Sequence, residues 1–394
     1  MKCLALLIRK VHEGQVIEVC NRLCDLLLDG KDTLRDIYFI GLRTLISDVP
    51  KNFGTTICDH LTDKLLGGLV RQNDVAQQNC IDLLSELCRR FGHLNDRDHE
   101  KIMSCLLDKL RSHRTIISRK AAVALGSLAL VSSDGLLNNL VGDLLKSVPD
   151  NCLVNFQISK NFIQTIVALS RVAGHRLGLY AGQIIPLILQ FCGAVDDDNL
   201  YDESFIELRE HCFSILESFV RMCPKEVGSY TSKIVESAIS FIKFDPNYSY
   251  DFPCGDEDAG SEQEGFCSSE DDDSSWKVRK AAVKVITAIV ATYPELPLAL
   301  VCVCFDSLCE RFKEREEIVK IDIINSVAQI IMLRTVSESK LSESIFFKTE
   351  LKARSPILFR LAMKYLSHSD KVKESVYNFL RLFVSSIEVY STFQ

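Results

Sequence analysis

Residues 274–290 run Ser274-Ser-Trp-Lys-Val-Arg-Lys-Ala-Ala-Val-Lys-Val-Ile-Thr-Ala-Ile-Val290, directly after the acidic run Glu270-Asp-Asp-Asp273, and hold the only tryptophan of the chain. With Val278 as an anchor, the next residue is basic (Arg279), the position four on is small and apolar (Ala282), and eight on is Ile286. Positions i, i+4 and i+8 share one helical face, so the pattern predicts an amphipathic helix with a cation in its first turn.

The same template fits at Leu34, Val75, Ser118, Ser159, Leu208, Val278, Val319 and Val372. The following residue is Arg or Lys in seven of the eight, Ala76 being the exception. Four on, the residue is apolar or small except at Asn79, and eight on it is apolar except at Gly126. The anchors are 41, 43, 41, 49, 70, 41 and 53 residues apart. A base period near 41 with three stretched intervals predicts an all-α fold, an α-solenoid of HEAT- or armadillo-type helical hairpins.

Composition agrees with a packed helical array. The chain has 394 residues, 47% of them hydrophobic, with 9 prolines and 18 glycines. Its net charge of −7 argues against bulk attraction to nucleic acid or to an anionic membrane. No apolar stretch is long enough to span a bilayer. The 16 cysteines form no framework. Cys20, Cys24, Cys80, Cys88, Cys105 and Cys212 fall within apolar helical patterns, where a free thiol packs as a small hydrophobe. Cys302, Cys304 and Cys309 are the closest cluster but lack partners at zinc-ligand spacing. Reduced thiols in this number point to cytoplasm and nucleus.

A second apolar-periodic segment precedes each anchor: Val16–Leu28, Leu61–Arg71, Lys101–Arg111, Asn139–Val148, Gln183–Cys192, Lys233–Lys243, Leu298–Phe312 and Ile357–Ser367. Pro186 lies inside one of these and is expected to bend or break it. Turn residues such as Asp29-Gly30, Pro50, Gly92, Pro149-Asp150 and Pro224 separate the hairpins. The opening Met1–Lys10 is too short in its apolar core for a signal peptide, and Leu4 fits the eighth template position of a repeat truncated at its start. Such a repeat would expose an apolar face. Extra length falls at Asp196–Glu203, near Thr335–Lys352, and above all between Phe244 and Trp276.

That largest insertion has 11 acidic residues and no Lys or Arg, which predicts disorder over Asp251–Asp273. Without those 11 charges the remainder stands at +4, so the repeats themselves are mildly basic. The expected organisation is therefore HEAT repeats over 1–244, an acidic insertion over 245–275, and HEAT repeats over 276–394.

The basic column Arg35, Arg119, Lys160, Arg209, Arg279, Lys320 and Lys373 is the most regular polar feature. It could line a cationic groove for an acidic partner. The favoured reading is a stacking ladder, each cation bonding carboxylates of its own and adjacent repeats. Asp29, Glu203, Asp273 and Glu314 stand six residues upstream in four of the eight repeats, as a ladder needs. Asp256, Glu257, Asp258, Glu270, Asp271, Asp272 and Asp273, with Trp276, are candidates for contacting a basic partner surface; a solvated, solubilising loop explains them equally well. Ser261, Ser268 and Ser269 each precede an acidic residue by three positions and suit an acidophilic kinase. No phosphate-binding loop, dinucleotide fingerprint, zinc-protease motif or nucleophile elbow is present, so neither an active site nor a cofactor is expected.

Several stretches, taken in order, resemble the cullin-associated, neddylation-dissociated family: Ala173-Gly-His-Arg-Leu-Gly-Leu-Tyr180 into Gln183-Ile-Ile-Pro-Leu-Ile188, Glu217-Ser-Phe-Val-Arg-Met-Cys-Pro-Lys-Glu-Val227, Phe244-Asp-Pro-Asn-Tyr-Ser-Tyr-Asp251 before an acidic loop, Ser275-Trp-Lys-Val-Arg-Lys280, and Arg311-Phe-Lys-Glu-Arg-Glu-Glu317 before Val319-Lys320. The similarity covers nearly the whole chain, weakens after about Met332, and maps onto roughly the first third of the family's length. The acidic insertion is shorter than the family's and the Asp196–Glu203 loop longer. The resemblance implies a HEAT solenoid that wraps an unneddylated cullin and its RING subunit, covering the neddylation lysine. It also implies that the adaptor-displacing hairpin of the family's far C-terminal repeats has no counterpart here. It names no small-molecule substrate. An importin-β-type transport receptor is the alternative from another class. The scaffold subunit of a phosphatase is disfavoured by the 70-residue interval.

Overall fold

The computed structural model describes residues 10–30, 32–152, 156–193, 203–245, 274–335 and 341–388. They form helices α1 (Glu13–Asp29), α2 (Arg35–Asp48), α3 (Gly54–Leu69), α4 (Asp74–Phe91), α5 (His99–Leu110), α6 (Thr115–Val131), α7 (Asp134–Cys152) and α8 (Phe156–Ala173). There follow α9 (Ala181–Phe191), α10 (Glu203–Met222), α11 (Thr231–Ile242), α12 (Ser275–Thr292), α13 (Leu298–Glu310), α14 (Glu317–Thr335), α15 (Leu341–Tyr365) and α16 (Asp370–Glu388). Short 3₁₀ turns join several of them, and no strand occurs among the described residues.

Helices α1–α8 lie in a compact unit ending at Ile184, and α10–α16 in a second unit beginning at Ile185. Within the first unit, consecutive helices pair as hairpins. The second helices stack in the order α2, α4, α6, α8, and the first helices in the order α1, α3, α5, α7. The second unit repeats the scheme, with α10, α12, α14 and α16 in one layer and α11, α13 and α15 in the other. The anchor helices form the more deeply enclosed layer. In α12 the buried set is Val278, Arg279, Ala281–Val283, Val285, Ile286 and Ala288–Val290, which covers most of the circumference rather than one stripe. A helix flanked on both sides by equivalents of itself, and backed by its hairpin partner, leaves only a narrow strip for water.

Three local expectations are corrected. Pro186 does not break α9, which continues to Phe191. The ring removes one amide donor, but Ile184, Ile185 and Ile188 around it are all at most 1% exposed, and their packing holds the helix through that loss. The Pro149-Asp150 turn is absent, because α7 runs through it to Cys152. The extra length near Thr335–Lys352 is helical from Leu341 onward. Phe347 and Leu351, buried four residues apart, extend the apolar stripe that Leu358 and Ala362 complete. Residues 246–273 lie outside the described residues, as do Met1–Arg9. The helices that flank the insertion, α11 and α12, pack on one another, so it interrupts a hairpin.

Gly126, the apolar template's exception, marks a close approach of two anchor helices. A Cβ there would stand 3.1 Å from the Ala168 carbonyl oxygen of α8. Backbone cannot retreat as a side-chain tip can, so α6 and α8 touch here only because the position is glycine. Gly142 in α7 has nothing within 4 Å of the equivalent point. Gly126→Val is expected to destabilise the protein by about 1–3 kcal/mol in chemical denaturation. Gly142→Ala should be neutral or stabilising by up to about 1 kcal/mol. Equal effects at the two sites would contradict this packing.

Candidate functional site

The densest charged cluster of the second unit surrounds Arg279, in the first turns of α12, and its side chain is fully buried. Arg279 Nε donates to Glu314 Oε2 at 3.1 Å and Nη2 to Glu314 Oε1 at 3.3 Å, a two-pronged grip on one carboxylate. Its Nη1 donates to the Phe244 carbonyl at 3.1 Å and to Ser275 Oγ at 2.7 Å. Phe244 lies just past the end of α11, so the guanidinium also caps a helix terminus whose carbonyls would otherwise lack donors. Glu314 is as heavily engaged. It accepts from Arg311 Nη2 at 2.6 Å and, through Oε1, from the backbone amides of Arg315 and Glu316 at 3.0 and 3.1 Å. Those amides lie just before α14, whose N-terminal end favours a nearby carboxylate through the helix dipole. Asp245 closes the cluster by pairing with Arg311 at 3.3 Å and Arg315 at 3.2 Å, with Arg279 3.8 Å away.

One network thus ties the end of α11, the start of α12 and the turn before α14. Asp245 and Ser275, near the two feet of residues 246–273, both face Arg279. Burial on its own would raise the Glu314 carboxyl. The guanidiniums of Arg279 and Arg311, with the Glu316 amide, instead hold it below its ordinary value of 4.5. The donors are consumed inside the protein, so the arrangement positions chain segments and offers no group poised for chemistry.

Elsewhere the basic column behaves differently. Arg35 is buried, but its Nε donates to the Leu27 carbonyl at 2.9 Å and Nη2 to the Gly30 carbonyl at 3.4 Å. These are the last carbonyls of α1, so the donor caps the hairpin's own first helix, where a carboxylate had been expected. Asp29 instead pairs with Arg71 of the next hairpin. Arg209 is buried with its guanidinium 5.3 Å from the Phe241 ring centre. Lys320 is buried with Nζ 4.7 Å from the Tyr365 ring. Burial lowers the Lys320 ammonium despite the opposing pull of Glu314 and Glu317. Lys160 and Lys373 are half-buried, and Lys373 pairs with Asp370 in its own first turn at 3.0 Å.

Arg119 is exposed, and the neighbouring Ser118 occupies the buried position. In α8 neutral groups reach the carbonyls of earlier helices. Ser159 Oγ donates to the Val148 carbonyl at 3.2 Å, and Asn161 Nδ2 to the Leu110 carbonyl at 2.9 Å. Glu203 is exposed at the start of α10, and Asp273 lies outside the described residues.

A second set of contacts was not foreseen. Arg71 reaches back to the Leu28 carbonyl, Arg90 to Val49, Arg176 to Ala129 and Arg334 to Pro294, at separations of 40–47 residues. Each spans one repeat and caps the end of an earlier helix. Their common trace in the sequence is a cation about one period after a helix end, which is visible only once the hairpins are placed.

Trp276 is half-buried, with Lys280 Nζ 6.0 Å from its ring centre. Asp256, Glu257, Asp258, Glu270, Asp271, Asp272 and the serines Ser261, Ser268 and Ser269 lie outside the described residues. Burial pushes the thiols of Cys20, Cys58, Cys80, Cys88, Cys304 and Cys309 up to about 12, so they remain protonated and packed at neutral pH. Among the described residues no group of three or more His, Cys, Asp or Glu side chains is placed to hold a metal ion. None of the described helices is long and apolar enough to cross a membrane.

Comparison with known proteins bears on the fold and the family. No family model matches the chain. It is 35% identical to mouse cullin-associated NEDD8-dissociated protein 2 over 347 residues, covering 85% of this chain and 27% of the relative. It is 32% identical to cullin-associated NEDD8-dissociated protein 1 of Arabidopsis thaliana over 341 residues, with 84% and 27% covered. The Dictyostelium discoideum protein of the same name is 32% identical over 396 residues, with 93% and 31% covered. The chain therefore spans about a quarter to a third of the length of these relatives. Among solved structures, Kap95p with RanGDP superposes with a TM-score of 0.61 at 12% identity, covering 95% of this chain and 42% of the other. Yeast importin-β alone gives 0.57 at 12% identity, with 94% and 40% covered. At that identity the likeness concerns the fold alone, and with the hairpin order it makes the chain an all-α solenoid of HEAT or armadillo type.

Breaking the buried ion network by Arg279→Ala is expected to cost about 3–5 kcal/mol, because it strands a carboxylate without its main partner. Acid should act on the same group. Glu314's folded value lies below 4.5, so its contribution is fully present above that pH and disappears as pH falls through the folded value. Denaturation followed from neutral pH downward should therefore show an acid-dependent loss of stability that Glu314→Gln reduces. An unchanged acid limb in that variant would refute the assignment.

Proposed function

Because this chain belongs to the cullin-associated NEDD8-dissociated family, we propose that it is a non-catalytic assembly factor of cullin–RING ubiquitin ligases. In this reading its repeats bind a cullin with its RING subunit at the unneddylated C-terminal end, block neddylation, and take part in substrate-receptor exchange. The observation that carries the proposal is the sequence relationship over some 85% of the chain to relatives named for cullin association. The family-like motifs around Phe244, Ser275 and Arg311 add to it, since the Phe244 carbonyl and the Ser275 and Arg311 side chains converge on the Arg279–Glu314 network.

The acidic residues Asp256–Asp258 and Glu270–Asp273, with Trp276, are proposed as contacts for a basic partner surface, tuned by phosphorylation at Ser261, Ser268 or Ser269. Residence in cytoplasm and nucleus is proposed from the 16 cysteines, whose spacing in the sequence forms no disulfide framework. No nucleic acid, membrane or small-molecule ligand is invoked. An importin-β-like transport role is less well supported, because its kinship at 12% identity reaches only the fold.

A pull-down with a purified cullin–RING pair, neddylated and unneddylated, at two salt concentrations tests this reading. Capture of the unneddylated form alone is expected, weakened by salt if the acidic residues contribute. Equal capture of both forms, or of neither, would count against it, and nucleotide-dependent binding to a Ran-type GTPase would favour the alternative.

A further inference from the structure

In the first-helix layer, ion pairs at the surface join each helix to the next. Lys64 of α3 meets Asp25 of α1 at 2.8 Å, and Lys101 of α5 lies 3.8 Å from Asp63 of α3. In the second unit Lys243, one residue past α11, pairs with Glu310 of α13 at 2.7 Å, and Arg354 of α15 with Asp306 of α13 at 2.8 Å. Among the described residues no ion pair joins α5 to α7. Asp63 and Lys101 are 38 residues apart, and Asp108 and Lys146 stand at that same separation across the next step. Asp108 instead lies 3.7 Å from Arg111, while Lys146 has no ion-pair partner among the described residues.

Where this link is missing, a cleft of about 410 Å³ opens between α5 and α7. Its floor is apolar: Met103 and Leu107 of α5, with Phe162 of α8, which is 1% exposed. The Arg111 guanidinium stands 5.7 Å from the centre of the Phe162 ring. One wall runs from Glu100 to Arg111 and the other from Asp143 to Lys146, and all four side chains are exposed. As first helices of successive hairpins, α5 and α7 run in the same direction. The cleft therefore has an acidic end and a basic end. Glu100 and Asp143, like Lys146, have no ion-pair partner among the described residues. The longer wall spans about 16 Å, three turns of helix. A volume of this size takes a few side chains, and an apolar floor with a few converging charges is the usual form of a binding cleft.

We propose that the cleft binds a short peptide segment of a partner protein, one with an apolar side chain between a Lys or Arg and an Asp or Glu. The apolar side chain covers Met103, Leu107 and Phe162. The cation meets Glu100 and Asp143, and the anion meets Lys146. The peptide thus supplies the charge pairing that α5 and α7 do not make with each other. The proposal does not depend on the cullin-binding reading, and failure of the cullin pull-down would leave it standing.

Selection of a displayed random-peptide library on the full chain, followed by affinity measurement with the most enriched sequence as a synthetic peptide, tests it. Enriched sequences are expected to share the cation–apolar–anion pattern. Asp143→Lys and Lys146→Glu should each weaken binding by about tenfold or more, since like charges then face each other. Both positions are exposed, so thermal melts should match the wild type. Replacing the peptide's cation by Glu should abolish binding to the wild type and restore it to the Glu100→Lys/Asp143→Lys double variant, a recovery that a merely structural role would not give. A library that yields no peptide of this pattern overturns the proposal. So does an affinity that either single substitution leaves unchanged, or a charge-exchanged peptide that the double variant fails to bind.

Discussion

A guanidinium taken out of water must have its donors satisfied inside the protein, and Arg279 meets that requirement from three directions. Its acceptors are Glu314, the Phe244 carbonyl and Ser275 Oγ. The desolvation of a fully buried cation is costly, so the fold around it is the one that brings these acceptors together. Move α14 and Glu314 leaves; move α11 and the Phe244 carbonyl leaves. The network therefore sets the register of successive hairpins at the point where residues 246–273 interrupt one of them. Stability alone would be served as well by apolar packing, and what the charges add is a single permitted arrangement.

The same constraint, in weaker form, runs through both units. Where a hairpin ends its first helix with carbonyls that need donors, a later element supplies them in several cases: Arg35 to Leu27, Asn161 to Leu110, Arg279 to Phe244. Arg71, Arg90, Arg176 and Arg334 serve carbonyls one repeat back. Apolar surface drives the stacking, while these directional bonds fix how far each hairpin slides and turns against its neighbour. The exposed pairs between hairpins, such as Lys64 with Asp25 at 2.8 Å, contribute little beside them.

The helical periods were legible because an anchor layer enclosed on three sides must be apolar nearly all round, and that leaves a recurrent trace in the sequence. The basic column was legible as residues but not as partners. Arg119 and Arg279 occupy the same template position, yet one is exposed and the other is fully buried beside Glu314 and Asp245. Asp29 stands six residues before Arg35 just as Glu314 stands before Lys320, and neither spacing selects the hydrogen-bond partner found in space. Gly126 looked like a lapse in the pattern and is a point where two helix backbones come close. Pairings of this kind depend on the rotation of one hairpin against another, which no local pattern encodes. The family motifs at Phe244-Asp245, Ser275 and Arg311–Glu316 acquire a shared physical basis only when they meet around one arginine.

That meeting is best tested by a double-mutant cycle on Arg279 and Glu314, using Arg279→Met and Glu314→Gln, with stability measured by chemical denaturation at neutral pH. Direct contact in a buried site predicts a coupling energy of about 1–3 kcal/mol between the two substitutions. Additive effects, with coupling indistinguishable from zero, would mean that the side chains do not depend on each other and that the register of these hairpins is set elsewhere.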